Sequence, residues 1–307
     1  MRRRAFYRRA TPPASLDLSQ HPSLTLIAGP TASGKSALAL DLAQRTGAVI
    51  LNADSQQLYA DLRVLSARPS AEDEARAEHR LYGVADAAEA WSVGRWSRAA
   101  LAELAALEGR PAILVGGTGL YFTALTKGLA EIPDVPPSVR DAAGDLFDQD
   151  GEAAFRRALA AVDPAAEARI APGDRQRLVR AFSVWRASGR ALSDWQADTR
   201  PLLAPGAWTG LVVEPERARL YANCDRRADA MMALGAQHEV RRLMARGLAP
   251  DLPAMKAVGV RELAAGLSGR MSMTEAAEAL KQATRNYAKR QLTWFRNQTP
   301  DWARAGA

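Results

Sequence analysis

The sequence predicts an α/β fold, a parallel sheet with flanking helices and an inserted all-helical subdomain, and three observations carry that prediction. Short apolar runs starting at Leu24, Ala48 and Ala112 alternate with stretches of helical periodicity, the pattern that builds a parallel sheet. The first run empties into Gly29-Pro30-Thr31-Ala32-Ser33-Gly34-Lys35-Ser36, which fits the phosphate-loop pattern G-x-x-x-x-G-K-[ST] at every fixed position. A proline-rich break, Ile132-Pro-Asp-Val-Pro-Pro137, precedes residues 138–200, which read as helices with no strong strand. The result is a P-loop NTPase-like core in residues 23–137 and 201–307, with a helical insertion over 138–200.

Size and composition set the frame. A chain of 307 residues with 48% hydrophobic and 24% charged content can bury a real core. The net charge is +7, and only five of the 41 basic residues are lysine. Arginine's planar fork suits phosphates and stacked bases, so a nucleic-acid partner has weight. An Ala/Arg-rich proteome would produce the same balance, and charge alone does not decide. Cys224 is the only cysteine, which excludes a disulfide framework and a cysteine zinc site and fits a reducing, cytoplasmic setting. No run approaches the roughly eighteen apolar residues of a membrane span. Residues 1–22 begin Met1-Arg-Arg-Arg and lack the apolar centre of a signal peptide. A basic disordered arm is expected there, with an Arg-rich transit peptide as the alternative.

The elements follow in order. A strand from Leu24 feeds the phosphate loop, and an Ala/Leu-rich helix runs from about Lys35 to Thr46. Backbone N–H groups of the loop would form an anion nest, with the helix N-terminus adding partial positive charge. Lys35 supplies a point charge for the terminal phosphate, and the Ser36 hydroxyl can ligate Mg²⁺. Ala48–Asn52 reads as a second buried strand ending in Asp54-Ser55-Gln56-Gln57, at the carboxyl edge where open α/β sheets bind ligands. Asp54 is expected to face the crevice, and it also suits an N-cap with Gln57 completing a capping box. Residues 66–79 look like a mobile loop, Arg80–Val84 a short strand, and Ser92–Leu107 a helix.

The strand Ala112–Val115 ends in Gly116-Gly117-Thr118, where an ordinary P-loop ATPase carries an acid that helps hold Mg²⁺. Two glycines there would let backbone approach a ligand closely. The loop is therefore expected to hold a diphosphate without nucleotide hydrolysis. Thr118 suits ligand contact and capping of the next helix equally well.

In the insertion, helices are expected at Val139–Phe147, Glu152–Val162, Pro164–Ile170 and Arg175–Ser188. Arginine is dense there, and a subset facing one way would track phosphates. Asp174-Arg-Gln-Arg-Leu-Val-Arg180 is the densest run. Trp208–Val213 is a strand returning to the sheet, followed by one long helical stretch from about Glu216 to Arg246. A last helix runs from an N-cap at Thr274 to Asn297, with Ala277, Leu280, Thr284, Tyr287, Gln291 and Trp294 as its buried stripe. Lys281, Arg285 and Lys289 lie four apart on another face.

With these blocks in view, the chain resembles the tRNA dimethylallyltransferase (isopentenyltransferase) family. The matching blocks are Gly29–Ser36, Asp54–Tyr59, Gly116–Tyr121, Asp174–Arg177 with Arg180, and Thr284–Phe295, in family order from about residue 24 to 297. Singly the phosphate loop is generic and the basic helix weak; jointly the set is specific. The resemblance implies transfer of a dimethylallyl group from dimethylallyl diphosphate to N6 of adenine 37 of tRNA. It further implies that Gly29, Pro30, Thr31, Ala32, Ser33, Gly34, Lys35 and Ser36 hold the donor with Mg²⁺ and Arg227, and that Asp54 is the general base, with Lys35 and Thr31 assisting. Asp54, Ser55, Gln56, Gln57, Thr118, Arg140, Gln176, Arg177, Leu178, Val179 and Arg180 would line the anticodon stem-loop, joined by Arg285 and Lys289. A monomer would suffice. Asn223, where the family pattern has arginine, and Arg63 are departures that touch donor and RNA contacts. A P-loop kinase of a small hydroxyl substrate, a prenyltransferase for free adenine nucleotides and a GTPase-like RNA-binding module stay open beside this reading.

Overall fold

The computed structural model describes residues 23–306; the arm expected over residues 1–22 lies outside them. Strand β1 (Leu24–Ala28) leads through the phosphate loop into α1 (Lys35–Thr46), and β2 (Val49–Asn52) follows. The short helix α2 (Ala71–Arg76) precedes β3 (His79–Arg80); α3 (Val93–Ala105), β4 (Ala112–Gly116) and α4 (Gly119–Thr126) come next. Four helices then run in succession, α5 (Pro137–Ala160), α6 (Pro164–Arg169), α7 (Arg175–Ser188) and α8 (Leu192–Ala197). The chain returns as β5 (Thr209–Val213), α9 (Arg217–Ala233), α10 (Ala236–Ala245), α11 (Val260–Leu267), α12 (Met273–Gln298) and β6 (Ala303–Ala305).

All six strands pair in parallel, in the order β3-β2-β4-β1-β5-β6. Every residue of β1, β2 and β4 is buried, which is why these strands read as unbroken apolar runs rather than alternating ones. Their side chains still alternate between two cores. Leu26, Leu51 and Leu114 pack with Trp96, Phe122 and Phe295 on one face, while Ile27, Ile50 and Ile113 meet Leu38 and Leu42 of α1 on the other. The register Ala28↔Gly116 and Asn52↔Val115 brings the carboxyl ends of β1, β2 and β4 to one edge. That edge carries the site.

The chain divides into two compact units: one holds the described residues up to Thr126 and from Leu203 on, the other Lys127–Leu202. The second unit has its own core, in which the Phe147, Phe155 and Phe182 rings meet in sequence. Within it the fully buried Asp163 caps α6 through the Ala166 N–H at 2.9 Å and accepts the Ser193 hydroxyl at 2.6 Å.

Several elements differ from expectation for identifiable reasons. The stretch 66–79 is no featureless loop: Ser70 and Asp73 form a capping box that starts α2. The strand expected at Arg80–Val84 is only His79–Arg80, because Leu81 and Gly83 adopt positive φ. The two helices expected before and after residue 150 are present within Pro137–Ala160, parted by a kink at Gly151, whose φ of 75° and ψ of 165° are not helical. The single helix expected over 216–246 is split by Gly235, in the left-handed region at φ 93°. The cap of α12 is Ser272 with Glu275, not Thr274. Its buried stripe is rotated from the expected one, taking Ala276, Ala288, Leu292 and Phe295 alongside Leu280, Thr284 and Gln291.

Candidate active site

The phosphate loop is built by backbone that few side chains tolerate. Ala32 and Gly34 both sit in the left-handed region, at φ 63° and 93°. A Cβ on Gly29 would lie 2.7 Å from the Val213 carbonyl oxygen of β5. Gly34 caps α1 without any side-chain bond of its own; the Lys35 N–H donates to Ser33 Oγ at 3.4 Å, and the helix N-terminus turns its partial positive charge toward the loop. Lys35 is buried and its Nζ donates to the Pro30 carbonyl at 3.1 Å. Burial lowers its pKa to about 8, with the Arg227 charge adding to the depression and the Asp54 carboxylate opposing it. Such a lysine gains most from a partner with negative charge.

The acid faces this loop from β2. Asn52, fully buried, accepts the Asp54 N–H at 2.8 Å and donates to the carbonyls of Asp54 and Leu81, so the strand end cannot drift. Asp54 Oδ1 accepts the Gln56 N–H at 3.0 Å. Gln57 does not complete a capping box; its Nε2 instead donates to the Ser66 and Ala67 carbonyls at 2.9 and 3.1 Å. Thr118 holds the same strap: its hydroxyl accepts the Ser55 N–H at 2.9 Å and donates to Ser55 Oγ at 3.1 Å. It is a brace for the strap rather than a side-chain cap for α4.

The two glycines at the end of β4 make room for protein, not for ligand. A Cβ on Gly116 would run into the Ala53 carbonyl, and one on Gly117 would collide with the Gln291 amide and lie 3.1 Å from Asp54 Oδ2. Gln291 of α12 is buried and bridges two elements. Its Oε1 accepts the Thr31 N–H at 2.8 Å and its Nε2 donates to the Gly117 carbonyl at 2.9 Å. Helix α9 secures the other side of the loop. Arg227 donates to the Thr31 hydroxyl at 3.0 Å, and Asn223 donates to the Ala32 carbonyl at 3.1 Å. Asn223 thus keeps a role at the loop although it is not an arginine.

A cavity of about 510 Å³ of empty space, counting its open mouth, lies among these groups. Thr31, Lys35, Ser36, Asp54, Gln56, Gln57 and Arg227 give it polar walls, whereas Leu65, Met231, Val258 and Leu280 give it apolar ones. Tyr287 also lines it; its phenol bonds to Gln56 and Thr118, and its pKa is raised by burial and by the Asp54 charge. Among the described residues no group of three His, Cys, Asp or Glu gathers to hold a metal. Ser36 and Asp54 are among the oxygen donors on this cavity wall that suit a hard cation, beside Thr31, Gln56 and Gln57.

The remaining expected contacts fall elsewhere. Arg285 is ion-paired to Asp225, and Lys281 to Asp229 at 2.9 Å, so this face of α12 is tied to α9 by charge pairs. Lys289 is exposed. Arg63 pairs with Glu74 at 3.1 Å. In the second unit Arg140, Gln176 and Arg180 are exposed, and Arg177 pairs with Asp174 at 2.6 Å. Leu178 and Val179 are buried in that unit's core, where their side chains pack.

Sequence reasoning missed Gln291 and Glu239 as parts of the site. The signal for Gln291 was a long polar side chain in a buried, largely apolar stripe. Glu239 on α10 is buried and accepts the Val64 and Leu65 N–H groups at 2.8 and 2.9 Å, fixing the segment that supplies Leu65 and Ser66 to the cavity. It carried no local signal, because its partners lie far away in sequence.

The chain matches the family model described as IPP transferase over residues 57–298 and the one described as isopentenyl transferase over residues 22–88. It is 59% identical over 283 residues to the tRNA dimethylallyltransferase of Caulobacter sp. (strain K31), covering 92% of each chain. It is 60% identical over 288 residues to that of Phenylobacterium zucineum (strain HLK1), covering 93% of each. Among solved structures, it resembles the full-length tRNA isopentenylpyrophosphate transferase from Bacillus halodurans with a TM-score of 0.64 and 32% identity, over 92% of this chain and 88% of that one.

Proposed function

Because the chain belongs to the tRNA dimethylallyltransferase family, we propose that it transfers a dimethylallyl group from dimethylallyl diphosphate to N6 of adenine 37 in tRNA. One observation carries the reading: a single cavity joins a diphosphate cradle, a buried acid and an apolar wall. The cradle and Lys35 suit the leaving diphosphate, and Leu65, Met231, Val258 and Leu280 suit a five-carbon tail.

The division of labour follows from the chemistry. An adenine amine is a poor nucleophile, since its lone pair is delocalised into the ring. Asp54 accepts a proton from N6 as the N–C bond forms, and the allylic C–O bond breaks to release diphosphate. The charge that develops on the leaving oxygen meets the loop amides, Lys35 and Arg227. An allylic carbon tolerates positive charge, so stabilisation of the leaving group outweighs base strength. The Ser36 hydroxyl would help hold Mg²⁺, which would supply further neutralisation of the leaving diphosphate, as suits a cation that takes most of its ligands from phosphate and water. The target base leaves its stack to reach the site. In the second unit, exposed Arg140, Gln176, Arg177 and Arg180 are the groups we assign to the tRNA backbone, with Lys289 on α12. We further take the protein to act as a monomer in the cytoplasm.

The deciding experiment incubates the protein with dimethylallyl diphosphate, Mg²⁺ and unmodified tRNA, beside parallel reactions with AMP as acceptor and with ATP plus a small alcohol. A five-carbon addition to tRNA adenosine is expected. Addition to AMP alone, or ADP release without prenylation, would overturn the assignment.

A further inference from the structure

Gln291 joins the phosphate loop to the turn after β4, which braces the segment that carries Asp54. Its acceptor end takes the Thr31 amide, 260 positions away in sequence, and its donor end takes the Gly117 carbonyl, 174 positions away. Gly117 is followed by Thr118, whose N–H donates to the Ala53 carbonyl at 3.2 Å and whose hydroxyl holds Ser55. Asp54 lies between those two anchor points. Thr31 in turn holds Arg227 through its hydroxyl. One primary amide, buried in α12, therefore spans the gap between the leaving-group side and the acceptor side of the cavity.

We propose that Gln291 is a positioning residue that sets the distance from the diphosphate cradle to the Asp54 carboxylate, and so governs turnover rather than donor affinity. The inference rests on the transferase reading above. Both ends of the amide are needed. A hydrocarbon of the same length satisfies neither partner. A carboxylate accepts the Thr31 N–H but turns an oxygen toward the Gly117 carbonyl, and only its protonated form restores both bonds. Burial and the facing carbonyl favour that protonated form, so a glutamate here titrates above the usual carboxylate range.

The test compares wild type with Q291E and Q291L, following prenyl transfer to tRNA at pH 6 and pH 8. At pH 8 both variants are expected to lose about 10²-fold in kcat, the scale of a displacement of about 1 Å between reacting groups. The donor KM should stay within about threefold of wild type. Relative to wild type at the same pH, Q291E should recover on acidification and Q291L should not. A merely structural glutamine would not produce that acid rescue. Wild-type turnover in either variant at pH 8, a Q291E deficit equal at both pH values, or a loss confined to KM would each overturn the proposal. Wild type that makes no product would refute the transferase reading instead. The latch would then be read from thermal melting of the apoprotein, where the gap between wild type and Q291E should narrow as pH falls; a gap independent of pH refutes it.

Discussion

Asp54 and Lys35 divide the work at the residue scale, and each makes its own prediction. Replacing Asp54 with alanine should cut turnover by about 10²–10⁴-fold, the range of a general-base contribution, while pyrophosphate binding measured by calorimetry largely survives. Full activity in that variant would remove Asp54 from the chemistry. Burial pushes the Lys35 ammonium down to about 8, and a bound diphosphate favours its charged form. Above that pH, binding must take up a proton, so pyrophosphate affinity should fall by up to about tenfold per pH unit. Calorimetry at pH 9 in buffers of different ionisation enthalpy would register the uptake. The same depression is a stability cost. The folded protein holds the Lys35 proton less tightly than the unfolded chain does, so the cost is full below about 8, fades between there and the unfolded value of 10.5, and is gone above it. Lys35→Met should therefore raise apoprotein stability at pH 7, by an amount on the order of 2–3 kcal/mol, and abolish transfer.

The cavity is held open at the element scale by helices whose contributions were unevenly visible in the sequence. Strands β1, β2 and β4 were legible because burial on both faces produces continuous apolar runs, and the phosphate loop was legible because its geometry admits few residues. Helix α10 did not stand out as separate, since one glycine, Gly235, ends a periodicity that otherwise continues. Short β3 and β6 lie at the sheet edges, where two or three residues leave no pattern to read. Yet α10 matters: Glu239 pins Val64 and Leu65 with both carboxylate oxygens. Glu239→Gln turns an amide N–H toward one of those donors. It should cost about 1–3 kcal/mol in thermal or denaturant unfolding and raise the donor KM, because Leu65 and Ser66 lose their anchor. Unchanged stability with unchanged KM would show the pin to be dispensable.

Charge is the property of the whole molecule that the sequence displayed without saying where it acts. Of its basic residues, Arg285 and Lys281 neutralise acids of α9, whereas Arg140 and Arg180 are exposed in the second unit with no ion pair among the described residues. Their roles should separate in one assay. Arg140→Ala and Arg180→Ala should each lower the slope of log tRNA affinity against log salt by about 0.7–0.9 for each phosphate no longer neutralised, while Arg285→Ala lowers melting temperature and leaves the slope alone. Leu178 and Val179, which the sequence pattern grouped with Gln176, Arg177 and Arg180, are buried in that unit's core, because a motif reports which positions belong together but not which face of a helix they occupy. The filled space behind Gly116 and Gly117 reaches furthest. An aspartate placed at either position, to install the acid of a nucleotide-hydrolysing P-loop protein, would land on the Ala53 carbonyl or on Gln291 beside Asp54. No single substitution there converts one chemistry into the other. Divergence of this kind behaves as a ratchet, its reversal barred by occupied volume until the segments that fill it are rewritten together.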